Sequence, residues 1–301
     1  MRLDTVWLIH RAASQAALRQ ARRSAETLRT QGVKVAVAMS GASANPFPGL
    51  LADEGGPPDL AVVLGGDGTV MEVVGALVGR DVSVGILPGG TGNQLARYLG
   101  IPLSVPRAVR ALAQARTVAM DLGRLGDGRY FSLTAGFGLD AAMIAGADPA
   151  LKRRVGVGAY VWSAARALPA MRSFRVRAQV DGETIESDVA LAMIANVGAV
   201  MDGRFGLGPG IAPTDGLLDL CLFAAAGLGD GVGLAWRMAR RDFRPDPRMT
   251  FRRGRHIRLE AIGNVAAQAD GELLHLPILE ASVVPASARF LAPMHGPGSA
   301  A

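Results

Sequence analysis

The strongest constraint on the fold is a pair of similar junctions in the N-terminal third of the chain. At AVVLGGDGTVMEVVG (61–75) and again at ILPGGTGNQLARYLG (86–100), an apolar run enters a glycine-rich turn and leaves as an apolar periodic segment. Such a run reads as a buried strand, and the period that follows as a helix. Strand, turn and helix in repetition call for a parallel sheet covered by helices. The surrounding chain agrees. VWLIH (6–10), VKVAVAM (33–39), DLAVVLGG (59–66) and VSVGILPGG (82–90) read as strands, with helices at about 14–31, at MEVVGALVG and at GNQLARYLG. Both glycine turns then fall at the carboxyl edge of one sheet, where open α/β sheets bind ligands.

These turns suit a phosphate. Glycine admits positive φ and lets a ligand approach the backbone. The helix start supplies unpaired N–H groups and the positive end of the dipole. Thr69 with Glu72, and Thr91 with Gln94, have the spacing of capping boxes. A capping box also starts ordinary helices, and the chain holds seven Asp-Gly pairs, so a single loop says little; the adjacent pair says more. The chain contains no G-x-x-x-x-G-K-[ST], which excludes a P-loop NTPase. It has no G-x-G-x-x-G at a strand–helix junction with a downstream acid, which disfavours a dinucleotide-binding Rossmann site. No Gly-x-Ser-x-Gly elbow supports a serine hydrolase.

The texture changes after Asp121. YFSLTAGFG, FRVRAQVDG, SDVALAMIANV, GLLDLCLFAA, HIRLEAIG and AAQADGELLHLPILEASVV read as short strands separated by turns such as Asp181-Gly182. Helices are expected near 140–147, 152–171 and 228–241. The expectation is therefore a two-domain chain: an α/β domain with a mostly parallel sheet over 1–121, rejoined by about 283–293; a mainly antiparallel β-rich domain over 122–282; and a flexible tail at 294–301.

Composition narrows the setting. Cys221 is the only cysteine, so no intramolecular disulfide can form and a reducing interior is expected. No run of about 20 apolar residues offers a membrane span, and MRLDTVWLIH does not read as a signal peptide. A cytoplasmic location is expected, with peripheral contact at the inner face of the membrane. The net charge is +6, and nine arginines lie between Arg237 and Arg258 against Asp242 and Asp246. That run reads as a solvated face, with no nucleic-acid partner expected. The segment Lys152–Arg177 mixes basic residues with Tyr160, Trp162, Leu168 and Phe174, as interfacial helices do. Oligomeric state is not legible.

GGDGT (65–69) with Glu72, PGGTGN (88–93) and LAR (95–97) resemble the diacylglycerol kinase catalytic-domain family, which includes bacterial lipid kinases and sphingosine kinases. MDLGRLGDGRYFSLTAGFGLDA (120–141), ANVGAVMDGRFGLGPGIAPTDGLLDL (195–220) and ADGELLHLP (269–277) are similar to later segments of the family, in the same order. The resemblance implies an ATP-dependent kinase that transfers the γ-phosphoryl group to a lipid alcohol, with Mg²⁺. It implies that Gly65, Gly66, Asp67, Gly68, Thr69 and Glu72, with Thr91 and Asn93, hold ATP. It implies Asp270 or Glu272 as the base for the lipid hydroxyl. It implies magnesium contacts at Asp67 and Asp121, and a structural magnesium at Asp215 with the carbonyls of Ala212 and Leu217.

The chain departs from the family pattern at several points. His10-Arg11-Ala12-Ala13-Ser14 replaces Asn-Pro-x-Ser-Gly after the first strand, leaving His10 as the nucleotide-contact candidate there. Gln94 stands where an aspartate is common, which removes a charge from the acidic network around Asp67. NAD kinases share GGDGT and a related fold, so an NAD kinase-like enzyme is the alternative activity. A non-catalytic nucleotide- or lipid-binding relative is the other alternative.

Overall fold

The computed structural model describes residues 5–11, 15–30, 34–40, 58–138, 173–201 and 203–294. The chain divides into two compact units, 1–120 with 287–301, and 121–286.

In the first unit, β1 (Thr5–Arg11), β2 (Lys34–Ser40), β3 (Leu60–Gly65) and β4 (Ser83–Pro88) form a parallel sheet in the order β2-β1-β3-β4. Every residue of β3 and β4 is buried, which explains why they read as unbroken apolar runs: a parallel strand covered on both faces has no polar side. The helices are α1 (Gln15–Arg29), α2 (Asp67–Leu77), α3 (Gln94–Tyr98) and α4 (Val105–Leu112). Helix α1 buries Ala21, Ala25 and Leu28, and α2 buries Val70, Val73, Val74 and Leu77. Both sets follow the helical period of one covered face. Each buried valine or leucine contributes about 1.5–3 kcal/mol. A single turn of chain joins β3 to α2, so the start of that helix sits at the sheet's carboxyl edge. Helix α4 was not anticipated from the sequence, because Pro106 and the short run VPRAVRAL obscure its period.

Strand β5 (Ala115–Leu125) runs across the unit boundary at Asp121. The second unit continues with β6 (Tyr130–Phe131), β7 (Thr134–Gly138), β8 (Phe174–Val180), β9 (Glu183–Val189), β10 (Leu191–Ala195), β11 (Ala199–Val200), β12 (Phe205–Gly206) and β13 (Leu218–Phe223). Helix α5 (Leu228–Arg240) follows, then β14 (Met249–Gly254), β15 (His256–Ile262), β16 (Ala267–Ala269), β17 (Glu272–Leu274) and β18 (Ile278–Pro293). One antiparallel sheet has the order β14-β13-β10-β7-β16-β17, and β18-β15-β8-β9 form the other antiparallel layer. Phe137, Ile194, Leu220, Val176, Ala178, Leu259 and Leu279 share one core cluster, drawn from both layers. In β8 the arginines face out and Val176, Ala178 and Val180 face in, the alternation expected of a strand with one wet face. The Asp181-Gly182 turn has φ of 46° and 96° and pairs Val180 with Glu183, a two-residue hairpin with both central residues left-handed.

Strand β13 is buried on both sides. Leu218, Leu220 and Leu222 enter the core between the sheets, while Cys221 and Phe223 meet Leu234 and Met238 of α5. That double cover buries Asp219 as well. The expected helices at 140–147 and 152–171, and most of the segment 152–177, lie outside the described residues. The expected helix at 228–241 is α5. The last strand contributes to both units: Leu279 and Ala281 lie in the core of the second, and Phe290, buried in the first, pairs in parallel with Val84 of β4.

Candidate functional site

The two glycine loops of the first unit interlock. The Gly89 N–H donates to the Gly65 carbonyl at 2.9 Å. A Cβ on Gly90 would lie 2.5 Å from Gly66 Cα, and one on Gly65 would lie 2.8 Å from Thr69 Cβ. None of the glycines in GGDGT or PGGTGN has positive φ; the left-handed residue is Asn93, at φ 48°. The expectation of positive-φ glycines is corrected here. These glycines allow backbone to pack on backbone, which a Cβ would block. Asn93 tolerates its conformation because its amide closes the turn locally: Oδ1 accepts the Gly90 N–H at 3.0 Å and Nδ2 donates to the Gly90 carbonyl at 2.7 Å. Arg97 Nε donates to the Gly92 carbonyl at 2.9 Å, bracing the same turn.

The expected capping boxes do not form. Helix α2 starts at Asp67 with Gly66 as its N-cap, and α3 starts at Gln94 with Asn93 as its N-cap; neither has a side-chain cap from its own N-cap residue. Thr69 is therefore already inside the first turn and buried, while Glu72 and Thr91 are exposed. The cap for α3 comes from the other loop. Asp67 Oδ2 accepts the Gln94 N–H at 2.9 Å and Oδ1 accepts the Leu95 N–H at 3.0 Å. Burial pushes the Asp67 carboxyl above its ordinary value, opposed by these two N–H groups and by the nearby Arg97 charge. Gln94 thus meets Asp67 through its backbone, and an aspartate is not needed at 94 for that bond. The Gln94 and Leu95 N–H groups of α3 are thus taken by Asp67, while the start of α2 is a candidate to meet an anion.

His10 ends up fully buried on β1 beside Leu64, and neither ring nitrogen has a hydrogen-bond partner among the described residues. Residues 12–14 lie outside the described residues, as do the side-chain contacts of Arg11.

The second unit holds a separate acidic framework. Asp121 is buried, its Oδ1 accepting the Ala286 N–H and its Oδ2 the Gly216 N–H, both at 2.7 Å. Its own N–H donates to the Pro213 carbonyl at 2.7 Å. Asn196, which sequence reasoning did not single out, donates from Nδ2 to the Asp121 and Ser132 carbonyls, both at 2.8 Å. The signal was present: an asparagine at the end of the apolar strand LAMIA has to find buried partners.

Asp270 and Gly271 form the turn between β16 and β17, with φ of 45° and 85° and Ala269 paired with Glu272. The Asp-Gly pair is thus the two-residue loop of a hairpin with both residues left-handed. The Asp270 carboxylate accepts four bonds: Oδ2 from the Ser132 N–H at 2.6 Å and hydroxyl at 2.8 Å, Oδ1 from the N–H groups of Leu133 at 2.8 Å and Thr134 at 3.0 Å. Burial raises its pKa to about 6 against the pull of those donors. Glu272, two residues on, is exposed.

The loop before β13 carries the remaining expected residues. Asp215 Oδ1 accepts the Leu217 N–H at 3.1 Å. Arg253 is the direct cross-strand partner of Asp219; its Nε donates to Asp219 Oδ1 at 3.0 Å, its Nη2 to the Gly210 carbonyl at 2.7 Å, and its Nη1 lies 3.6 Å from Asp215 Oδ2. Burial raises the pKa of Asp219, the Arg253 charge lowers it and Asp215 raises it further. Asp219 Oδ2 is buried without a hydrogen-bond partner among the described residues. Oxygen donors of this kind fit a hard divalent ion, and the orphaned carboxylate oxygen is an atom that a cation would satisfy. Arg253 supplies positive charge to the same loop.

A parallel α/β unit with two locked glycine loops, and an antiparallel β unit bearing an Asp-Gly-Glu hairpin, define the fold class shared by diacylglycerol kinases and NAD kinases. Residues 6–125 match the diacylglycerol kinase catalytic domain, and residues 134–292 match the YegS C-terminal NAD kinase beta sandwich-like domain. The chain belongs to the diacylglycerol kinase family. It is 29% identical over 304 residues to a diacylglycerol kinase of Mycobacterium tuberculosis, covering 93% of this chain and 92% of that one. It is 56% identical over 84 residues to NAD kinase 1 of Parasynechococcus marenigrum, a match covering 28% of this chain and 27% of that relative. The chain thus aligns with about a quarter of that protein's length. The crystal structure of a putative diacylglycerol kinase from Bacillus anthracis superposes with a TM-score of 0.78, covering 98% of each chain at 21% identity. No helix among the described residues is long and apolar enough to cross a membrane.

Proposed function

We propose that the protein is an ATP-dependent lipid kinase that phosphorylates the hydroxyl of diacylglycerol, a sphingoid base or a similar lipid alcohol. The observation that carries this reading is the interlocked loop pair, Gly65–Thr69 against Gly89–Asn93, with the start of α2 at the carboxyl edge of the sheet. Phosphoryl transfer is chiefly a matter of positioning and charge stabilisation. The α2 N–H groups would bind nucleotide phosphate, and Thr91, exposed on the second loop, would add a hydroxyl. Asp67, Asn93 and Arg97 would hold the two loops at a constant separation. Glu72 and His10 remain candidates for nucleotide contact.

Glu272 is the proposed general base. Its carboxylate is exposed, whereas all four acceptor positions of Asp270 are occupied by the 132–134 segment. Asp270 is then a positioning residue that holds the hairpin carrying Glu272. Magnesium would neutralise phosphate charge; Asp67 of the first unit and Asp121 of the second are each acidic candidates for a magnesium contact. A structural magnesium would sit at Asp215 with the carbonyls of Ala212 and Leu217.

The test is transfer of labelled phosphate from ATP to diacylglycerol, a sphingoid base and NAD in parallel. A lipid product is expected. Glu272→Gln should lower turnover by about 10²–10⁴-fold with ATP affinity unchanged. Full turnover in that variant would remove Glu272 from the role. The short match to NAD kinase 1 favours NAD as the second reading, and phosphorylation of NAD alone would establish it in place of the first.

A further inference from the structure

Helix α5 has a face that the fold leaves uncovered. Leu234 and Met238 pack inward against Cys221 and Phe223. On the opposite side Trp236 is 64% exposed and Val232 54% exposed, and Gly229, Ala239 and Arg240 are exposed with them. These five positions recur at helical spacing and form one stripe. The Arg240 guanidinium stacks over the Trp236 ring, 5.4 Å from its centroid, a cation–π contact that leaves the charge in solvent.

The surroundings are positive. Asp230, Asp242 and Asp246 are each held by arginine: Asp230 by Arg248, Asp242 by Arg237 and Arg244, and Asp246 by Arg237 and Arg248. Arg240 and Arg241 form no ion pair among the described residues; Arg241 Nη2 donates instead to the Gly203 carbonyl at 2.9 Å. Their charge is available to a partner.

We propose that the outer face of α5 docks the protein on an anionic lipid bilayer. Tryptophan beside arginine is the pairing that settles at the level of the headgroups, with the ring inserted and the guanidinium on phosphate. Arg240 and Arg241 match the charge of such a surface. A second protein copy fits less well, because one tryptophan and one valine are far from the roughly 800 Å² per partner that a stable interface buries. This surface belongs to residues that play no part in the proposed transfer, so it stands or falls independently of the kinase reading.

The experiment is co-sedimentation of the full chain with vesicles at low salt. One set is phosphatidylcholine alone, the other equal parts phosphatidylcholine and phosphatidylglycerol. The wild type should bind the anionic set selectively, with a blue shift in tryptophan emission that Trp236→Ala abolishes. Trp236→Ala should weaken binding by about ten-fold, and the Arg240→Gln/Arg241→Gln variant by roughly five-fold per arginine. Thermal melts should match the wild type, since both sites are exposed. Equal binding to the two vesicle sets, or wild-type binding by well-folded Trp236→Ala, would overturn the proposal. So would a wild-type oligomer in sedimentation velocity that Trp236→Ala dissolves, because the face would then belong to a second copy.

Discussion

Three aspartates act as crosslinks between loops. Asp67 joins the two glycine loops, Asp121 joins Gly216 to Ala286, and Asp270 holds the 132–134 segment. In each case both carboxylate oxygens accept backbone N–H groups, so an asparagine would turn an NH₂ donor toward another donor. Asp67→Asn should therefore cost about 1–3 kcal/mol and weaken ATP binding, read by urea denaturation and by calorimetric titration. Asp270 makes a further prediction. Its pKa rises from 3.8 to about 6 on folding. A carboxyl raised in this way contributes most below its unfolded pKa and loses that contribution as the pH climbs through the folded value. Its share should fall by up to about 3 kcal/mol between pH about 4 and about 6. The difference in denaturation free energy between wild type and Asp270→Asn, followed across that range, should show the slope; a flat difference would contradict it. The identities of these acids were legible in the sequence, since each sits in a quotable motif. Their hydrogen-bond partners were not, because in the second unit those partners lie 95 to 165 residues away.

At the scale of elements, glycine does two different jobs. Gly90→Ala places a methyl 2.5 Å from the Gly66 backbone, so the loops must part. A loss of about 1–3 kcal/mol is expected, with weaker ATP affinity. Gly229→Ala is the contrast: nothing lies within 4 Å of its added Cβ and it sits in the first turn of α5. A gain of about 0.4–1 kcal/mol is expected from the stiffer unfolded chain, read from the same melts. The strands and the two glycine turns were readable from periodicity and punctuation. The helix starts were read wrongly. Thr-x-x-Glu and Thr-x-x-Gln both have capping-box spacing, but the helices begin at Asp67 and Gln94, and the α3 cap arrives from a different loop. Local spacing carries no information about a cap supplied across the tertiary structure.

At the scale of the whole molecule, the two units share one late strand. β18 places Leu279 and Ala281 in the second unit's core and Phe290 and Ala292 among the buried residues of the first. Truncation after residue 277 should therefore abolish cooperative unfolding of both units rather than release an intact N-terminal one, which circular-dichroism melts would show. The sequence by itself determined the fold class. A parallel strand covered on both faces and an antiparallel strand wet on one leave different hydrophobic patterns, and both patterns are written locally. It also determined which residues are candidates for chemistry, because GGDGT, PGGTGN and ADGE are short and contiguous. Only the tertiary structure decided how those candidates are placed. It set Asp270 in a hairpin with every acceptor filled and left Glu272 exposed, set Gly90 against Gly66, buried His10 and turned Trp236 outward. Burial and hydrogen-bond saturation depend on residues distant in the chain, so no local stretch of sequence could show that Asp270 is saturated and Glu272 exposed.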